Sequence, residues 1–254
     1  MTLKDKIAVI TGGAGEIGLA TARKFLDEGI SGILLVDIEE EKLKSAIEKL
    51  NGKRVFYFVA DVSCAGSSKA YIDKAIDKFG RIDILFLDAG KEEAVKSLSK
   101  YQEEVFDNVL GVHVKGVWLG LKYAFPYMQK YGGGSVIINS SIEGLKETTE
   151  LMANTTKKHS NLGSIRVKAL EGKPNVIRIN SIFPKPLGNK LIKPFDSVFS
   201  PNTCGEVKKG YQQRIPLEYY ATNEDIARLV TFLGSDDSKS ISGATYMVDR
   251  RSRA

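Results

Sequence analysis

The chain has 254 residues, 43% of them hydrophobic and 27% charged, a balance that suits one large buried core and excludes a disordered polar chain. Its formal charge of +6 comes from scattered lysines, and the basic end Arg250-Arg251-Ser252-Arg253 reads as a solvated tail, so nucleic-acid binding is disfavoured. Cys64 and Cys204 are far apart and in no paired-ligand spacing, which argues against a disulfide framework or a zinc site.

The first six residues alternate polar and charged types and lack the apolar core of a signal peptide. No apolar run is long enough to span a bilayer, so a cytoplasmic chain with no membrane segment is expected. Short apolar runs then alternate with longer helical patterns. Strands are predicted at 7–11, 33–37, 55–60, 84–87, 135–140, 176–182 and 244–248. Most are β-branched or aromatic and continuous in apolarity, as in strands covered on both faces. Between them, Leu19, Ala22 and Leu26 share one helix face, and Leu43, Ile47 and Leu50 share another. A repeating strand–helix order predicts one doubly wound, parallel α/β domain over residues 1–254 with helices on both sheet faces. Tyr131-Gly132-Gly133-Gly134 reads as a flexible lead into the fifth strand. Residues 187–213 have little periodicity and read as a lid over a site.

After the first strand comes Thr11-Gly12-Gly13-Ala14-Gly15-Glu16-Ile17-Gly18, followed by a helix. Glycines let backbone approach a pyrophosphate, and the helix start supplies N–H groups and a positive dipole end. Asp37, at the end of the next strand, stands where a carboxylate binds the adenosine ribose hydroxyls. It would repel a 2′-phosphate, so NAD is favoured over NADP.

With these pieces and several others, the chain resembles the short-chain dehydrogenase/reductase family from end to end. The others are Asp61-Val62, Asp88-Ala89-Gly90, Gly116-Val117-Trp118-Leu119-Gly120, Ser140-Ser141, Ile177-Arg178-Ile179-Asn180-Ser181, Ile241-Ser242-Gly243 and Val248-Asp249. The resemblance implies hydride exchange between NAD(H) and a small secondary alcohol or ketone. It assigns cofactor contacts to Gly12, Gly13, Gly15, Glu16, Ile17, Gly18, Asp37, Asp61, Val62, Ala89, Gly90, Lys158 and Pro184. Asp61 and Val62 would meet adenine, and Ala89-Gly90 the nicotinamide half. It also implies a homodimer or homotetramer paired through helices at about 103–127 and 149–171.

Several positions depart from the family pattern. Glu16 replaces a glycine; a carboxylate at ~5 Å from a pyrophosphate would cost roughly 3 kcal/mol at an effective dielectric of 20, weakening NAD about a hundredfold. The catalytic positions carry Ser141, Asn154, Lys158 and His113, with Asn154 in the place of the proton-transferring tyrosine and His113 in that of an asparagine. An amide cannot act as a general acid, so turnover is expected to be weak or absent. Tyr71, Tyr101, Tyr123, Tyr127 and Tyr131 lie on other elements and offer no substitute; His113 and His159 are of the side-chain type suited to proton transfer near neutrality, but His113 is expected one shell behind the substrate and His159 on another side of its helix. Asp88, Lys185, Asn189 and Arg250-Arg251 also differ from the family's residues. The alternative is a non-catalytic pseudoenzyme that binds nucleotide or a protein partner.

Overall fold

The computed structural model describes residues 1–90, 98–140, 156, 160, 163, 177–184 and 221–248. Seven strands form one sheet: β1 (Ile7–Thr11), β2 (Gly32–Asp37), β3 (Val55–Val59), β4 (Ile84–Leu87), β5 (Gly134–Asn139), β6 (Ile177–Pro184) and β7 (Thr245–Val248). All pairings are parallel, in the order β3-β2-β1-β4-β5-β6-β7. Each predicted strand is present, with ends moved by no more than two residues.

Successive side chains of a strand point to opposite faces, and along β1, β2, β4, β5 and β6 both faces are covered. Ala8, Ile10, Ile33, Leu35, Ile84, Phe86 and Ile137 enter one core. There they meet α1 (Glu16–Asp27), α2 (Glu40–Leu50) and α6 (Asn223–Gly234). Val9, Leu34, Val36, Leu85, Leu87, Val136 and Ile138 enter the other, under α3 (Ala65–Phe79) and α5 (Gly116–Lys130). The continuous apolarity of the strands thus follows from two cores sharing one sheet.

Helix faces follow the expected stripes with one shift. In α1 the buried line is Thr21, Ala22 and Phe25, while Leu19 and Leu26 pack at its edges. In α2, Leu43, Ala46 and Leu50 are buried and Ile47 flanks them. The long helix expected at 103–127 is instead α4 (Glu103–Leu110), a π-helical turn over Gly111–Lys115, and α5. A π turn inserts one extra residue into the helical repeat, and such insertions concentrate at functional sites. The Tyr131–Gly134 segment is not a flexible lead. Gly132 and Gly133 have φ of 91° and 104°, and the Gly133 N–H donates to the Met128 carbonyl at 2.8 Å, closing the end of α5.

The Arg178–Ser181 motif stitches the far side of the sheet. Arg178 is 8% exposed and donates to the carbonyls of Leu233 at 2.8 Å and Ser235 at 3.1 Å, capping the end of α6. Asn180 donates to the Ile241 carbonyl at 3.0 Å and accepts the Ala244 N–H at 3.0 Å, fixing β7 beside β6. Arg178→Leu strips these carbonyls of a charged donor and is expected to cost about 2–4 kcal/mol, read from urea unfolding midpoints.

Candidate nucleotide and active site

In the strand order, connections leave β1 and β4 in opposite directions, which opens a crevice at the carboxyl ends of these two strands. The glycine-rich turn lies there and its shape is dictated by contact. Gly12 has φ of 68°, and a Cβ on it would stand 2.9 Å from the backbone of Asp88. A Cβ on Gly18 would stand 2.4 Å from the Gly12 carbonyl oxygen, and one on Gly13 would stand 2.8 Å from the Leu35 Cβ. Thr11 ties the two strand ends together: its hydroxyl accepts the N–H groups of Asp88 at 3.1 Å and Ala89 at 3.2 Å. Gly15 is the exposed N-cap of α1 and brings no side chain to its first N–H groups, and Ile17 packs down onto the core. These residues form a tight, backbone-lined cradle at a helix start, the arrangement that suits a diphosphate.

Glu16 is exposed at the first turn of α1. Its carboxylate accepts an amide N–H of Asn223, at the start of α6, at 3.3 Å. The charge is therefore drawn sideways toward α6.

Asp37 ends β2 and serves the turn as well. One oxygen accepts the Ala14 N–H at 3.2 Å, and the other accepts the Ile38 N–H at 2.8 Å. Beside it Ile38 is 62% exposed and Val59, its neighbour strand's last residue, 42% exposed. Sequence reasoning passed over Ile38, although an apolar residue directly after a ribose-binding carboxylate is a signal for a flat apolar ligand surface. Asp61 accepts the Ser63 N–H at 2.8 Å and the Ser63 hydroxyl at 2.7 Å. The Ser63 hydroxyl bond is the main cause that holds its carboxyl below the usual range. Val62 is buried under α5, where a Cβ on Gly116 would stand 2.9 Å from it.

Across the crevice, His113 in the π turn stands over Gly90: a Cβ there would be 2.9 Å from its Cε1. Ala89 is half-buried and packs on the core beneath α5. Pro184, buried, ends β6 opposite Val248. The structure therefore gathers His113, Gly90 and the glycine-rich turn at the same end of the sheet. Ser141, Asn154, Lys158, His159, Lys185, Asn189 and the expected lid at 187–213 lie outside the described residues.

Asp88, one of the positions that differ from the family's residues, follows directly on β4 at this crevice. The residue is half-buried, and its carboxyl pairs with the side-chain amide of Asn139 on β5 close to the Gly18 N–H of α1. Burial, with the nearby Asp37 charge, pushes it up to about 8 against the Asn139 bond, which pulls the other way. Thr11 and Asn139 are site residues with no sequence signal of their own.

Two of the tyrosines weighed as substitutes are committed elsewhere. Tyr71 is fully buried in α3 with its hydroxyl against Gly120, and burial pushes its phenol up. Tyr127 donates to Asp73 at 3.2 Å. Among the described residues no three histidine, cysteine or acidic side chains cluster as metal ligands. None of the described helices is long and apolar enough to cross a membrane.

A family model described as enoyl-(acyl carrier protein) reductase matches residues 12–250. Levodione reductase of Leifsonia aquatica is 29% identical over 96% of this chain and 93% of that protein. A crystal structure of levodione reductase superposes with a TM-score of 0.92 over 99% of both chains at 29% identity. The 3-oxoacyl-[acyl-carrier-protein] reductase of Thermotoga maritima is 30% identical over 98% of each chain. The crystal structure of NAD+-bound xylitol dehydrogenase matches with a TM-score of 0.92 and 27% identity, over 98% of this chain and 99% of that one. With its crevice between β1 and β4, its glycine cradle and a family match over nearly its whole length, the chain belongs to the short-chain dehydrogenase/reductase family.

Proposed function

We propose that this protein, a single domain over residues 1–254, is a cytoplasmic NAD(H)-binding oxidoreductase whose turnover of a small secondary alcohol or ketone is weak or absent. The observation that carries the nucleotide half is the cradle itself: Gly12 and Gly18 leave room for backbone alone, beside a carboxylate at Asp37. Gly12, Gly13, Gly15, Ile17 and Gly18 would hold the diphosphate, Asp37 the adenosine ribose, Asp61, Val62 and Ile38 the adenine side, and Ala89, Gly90 and Pro184 the nicotinamide side. The bound xylitol dehydrogenase, alike in fold, supports NAD as the nucleotide.

When bound, the nicotinamide supplies or accepts the hydride. The chain's own residues must do the rest. Ser141 would hold the carbonyl oxygen by its hydroxyl, and Lys158 would bind the ribose. Asn154 can hydrogen-bond the same oxygen but cannot deliver a proton to it. Water, or His113 standing over Gly90, would have to supply that proton. The second reading, a partner-binding pseudoenzyme, is favoured by this missing donor. Trp118, 48% exposed on α5 with the Lys122 ammonium 4.9 Å above its ring, gives the helix a surface for pairing with a second copy.

Calorimetry with NADH and NADPH tests the nucleotide assignment, with NADH expected to bind and NADPH to bind at least tenfold more weakly. No heat with millimolar NADH would remove it. Glu16→Gly, measured in the same way, is expected to tighten NADH by about tenfold. That is less than the hundredfold of a carboxylate facing the diphosphate, because Asn223 holds the charge aside.

A further inference from the structure

We infer that Asp88 is a proton-operated latch beneath the glycine-rich turn: while its carboxyl keeps a proton the turn holds an anionic diphosphate well, and ionisation of that carboxyl weakens the hold. The inference rests on the reading above that this turn binds the diphosphate of NAD(H).

Three segments converge on this one residue. The Gly18 N–H, at the third position of α1, lies close enough to its carboxyl to pull its titration down, against burial. Asn139 reaches it from β5 through its amide nitrogen. Gly12 lies against its backbone, which is itself anchored on the Thr11 hydroxyl. The latch is thus built into the floor of the cradle, and its charge state is felt where the diphosphate charge would sit.

A second observation points to the protonated form. The Asn139 Oδ1 is buried and has no donor. An ionised Asp88 only accepts hydrogen bonds, whereas the neutral acid carries one O–H that can serve such an oxygen. The charged surroundings favour the same form. Asp37 on β2 is the acidic neighbour that acts on Asp88. Glu16, on the first turn of α1, is exposed and bound by Asn223, on the outer side of the turn. His113 faces the crevice from the π turn two residues further along, at Gly90. Among the described residues no lysine or arginine pairs with Asp88. Burial and Asp37 accordingly move its titration up to about 8.

The sign follows directly. A diphosphate bound above the carboxyl disfavours its ionisation further, so binding takes up a proton and affinity falls as pH rises through 8. The apo protein is linked to the same proton. The unfolded carboxyl ionises at its ordinary value of 3.8 and the folded one near 8, so folding stability falls with pH between these values and is level above them. Asp88→Asn keeps the shape and removes the titration.

The test is NADH fluorescence titration from pH 6.5 to 9.5 with the unmodified protein and Asp88→Asn. The unmodified protein should lose about tenfold in affinity between pH 7 and 9.5 and the variant should lose little. The melting temperature of the apo variant should exceed that of its parent by a margin that widens from pH 5 to pH 8. NADH bound by both proteins with the same pH dependence overturns the latch and leaves the nucleotide reading in place. NADH bound by neither at any pH removes both. If the variant does not fold, carbon-13 spectra of the unmodified protein labelled at aspartate carboxyls decide. One carboxyl should titrate near pH 8 and move upward with NADH, and the absence of any titration above pH 6 overturns the proposal.

Discussion

Asn154→Tyr should raise the rate of ketone reduction by about two to four powers of ten, the usual contribution of a positioned acid. The reason lies in what each side chain can do with a proton. The amide has none to give near neutral pH, while a phenol has a pKa near 10 and gives its proton readily once a cation lowers that value. Lys158 is four residues further on, and residues four apart share a helix face, so its ammonium would stand beside the new phenol. Ser141 and the cradle are unchanged by the substitution. Initial rates of NADH oxidation with a panel of small ketones measure the effect. Asn154→Phe, with the same ring and no hydroxyl, is the control and should show no gain. Equal rates for the two variants, or fast turnover by the unmodified chain, would show that the proton comes from elsewhere.

The second large effect is expected from Gly18→Ala. Alanine is the better helix former by about 1 kcal/mol, so propensity alone predicts stabilisation. Contact predicts the reverse. The added Cβ would sit 2.4 Å from the Gly12 oxygen and 2.9 Å from the Gly13 Cα, and both obstacles are backbone that no rotamer change can clear. The turn must move away from α1, which disturbs the packing of Gly12 on the Asp88 backbone as well. A loss of about 2–4 kcal/mol in stability and of at least about a hundredfold in NADH affinity is expected. Gly66→Ala makes the internal comparison, since a Cβ there meets nothing within 4 Å and should leave stability equal or slightly higher. Urea unfolding and NADH titration of both variants separate the two cases. A Gly18→Ala protein that binds NADH like its parent would mean the turn is not the diphosphate cradle.

Much of the architecture was legible because its determinants are local. Val9 and Ile10, adjacent in the chain, feed opposite cores, so a strand covered on both faces is apolar throughout and announces itself. The glycine-rich turn and Asp37 were legible for a related reason: φ of 68° at Gly12 and a carboxylate at a strand end leave residue-type marks at fixed spacing. Less local features were misread. The helix expected at 103–127 is divided by a π turn, whose backbone hydrogen bonding no single residue type marks. The glycines leading into β5 read as slack in the sequence, but Gly132 and Gly133 have the positive φ that ends α5 tightly.

The amino-acid order by itself determined the seven strands, the nucleotide fingerprint and the amide at position 154, since each is a property of one short segment. Only the folded chain decided which distant groups meet. It brought Asn223 to Glu16 across 207 residues and Asn139 to Asp88 across 51. It turned a position that looked like drift into the floor of the cradle. Hydrophobic periodicity is set within a few turns of chain, whereas the partner of a carboxyl at a strand end is set by how the parallel sheet and its crossover helices bring remote strand ends together.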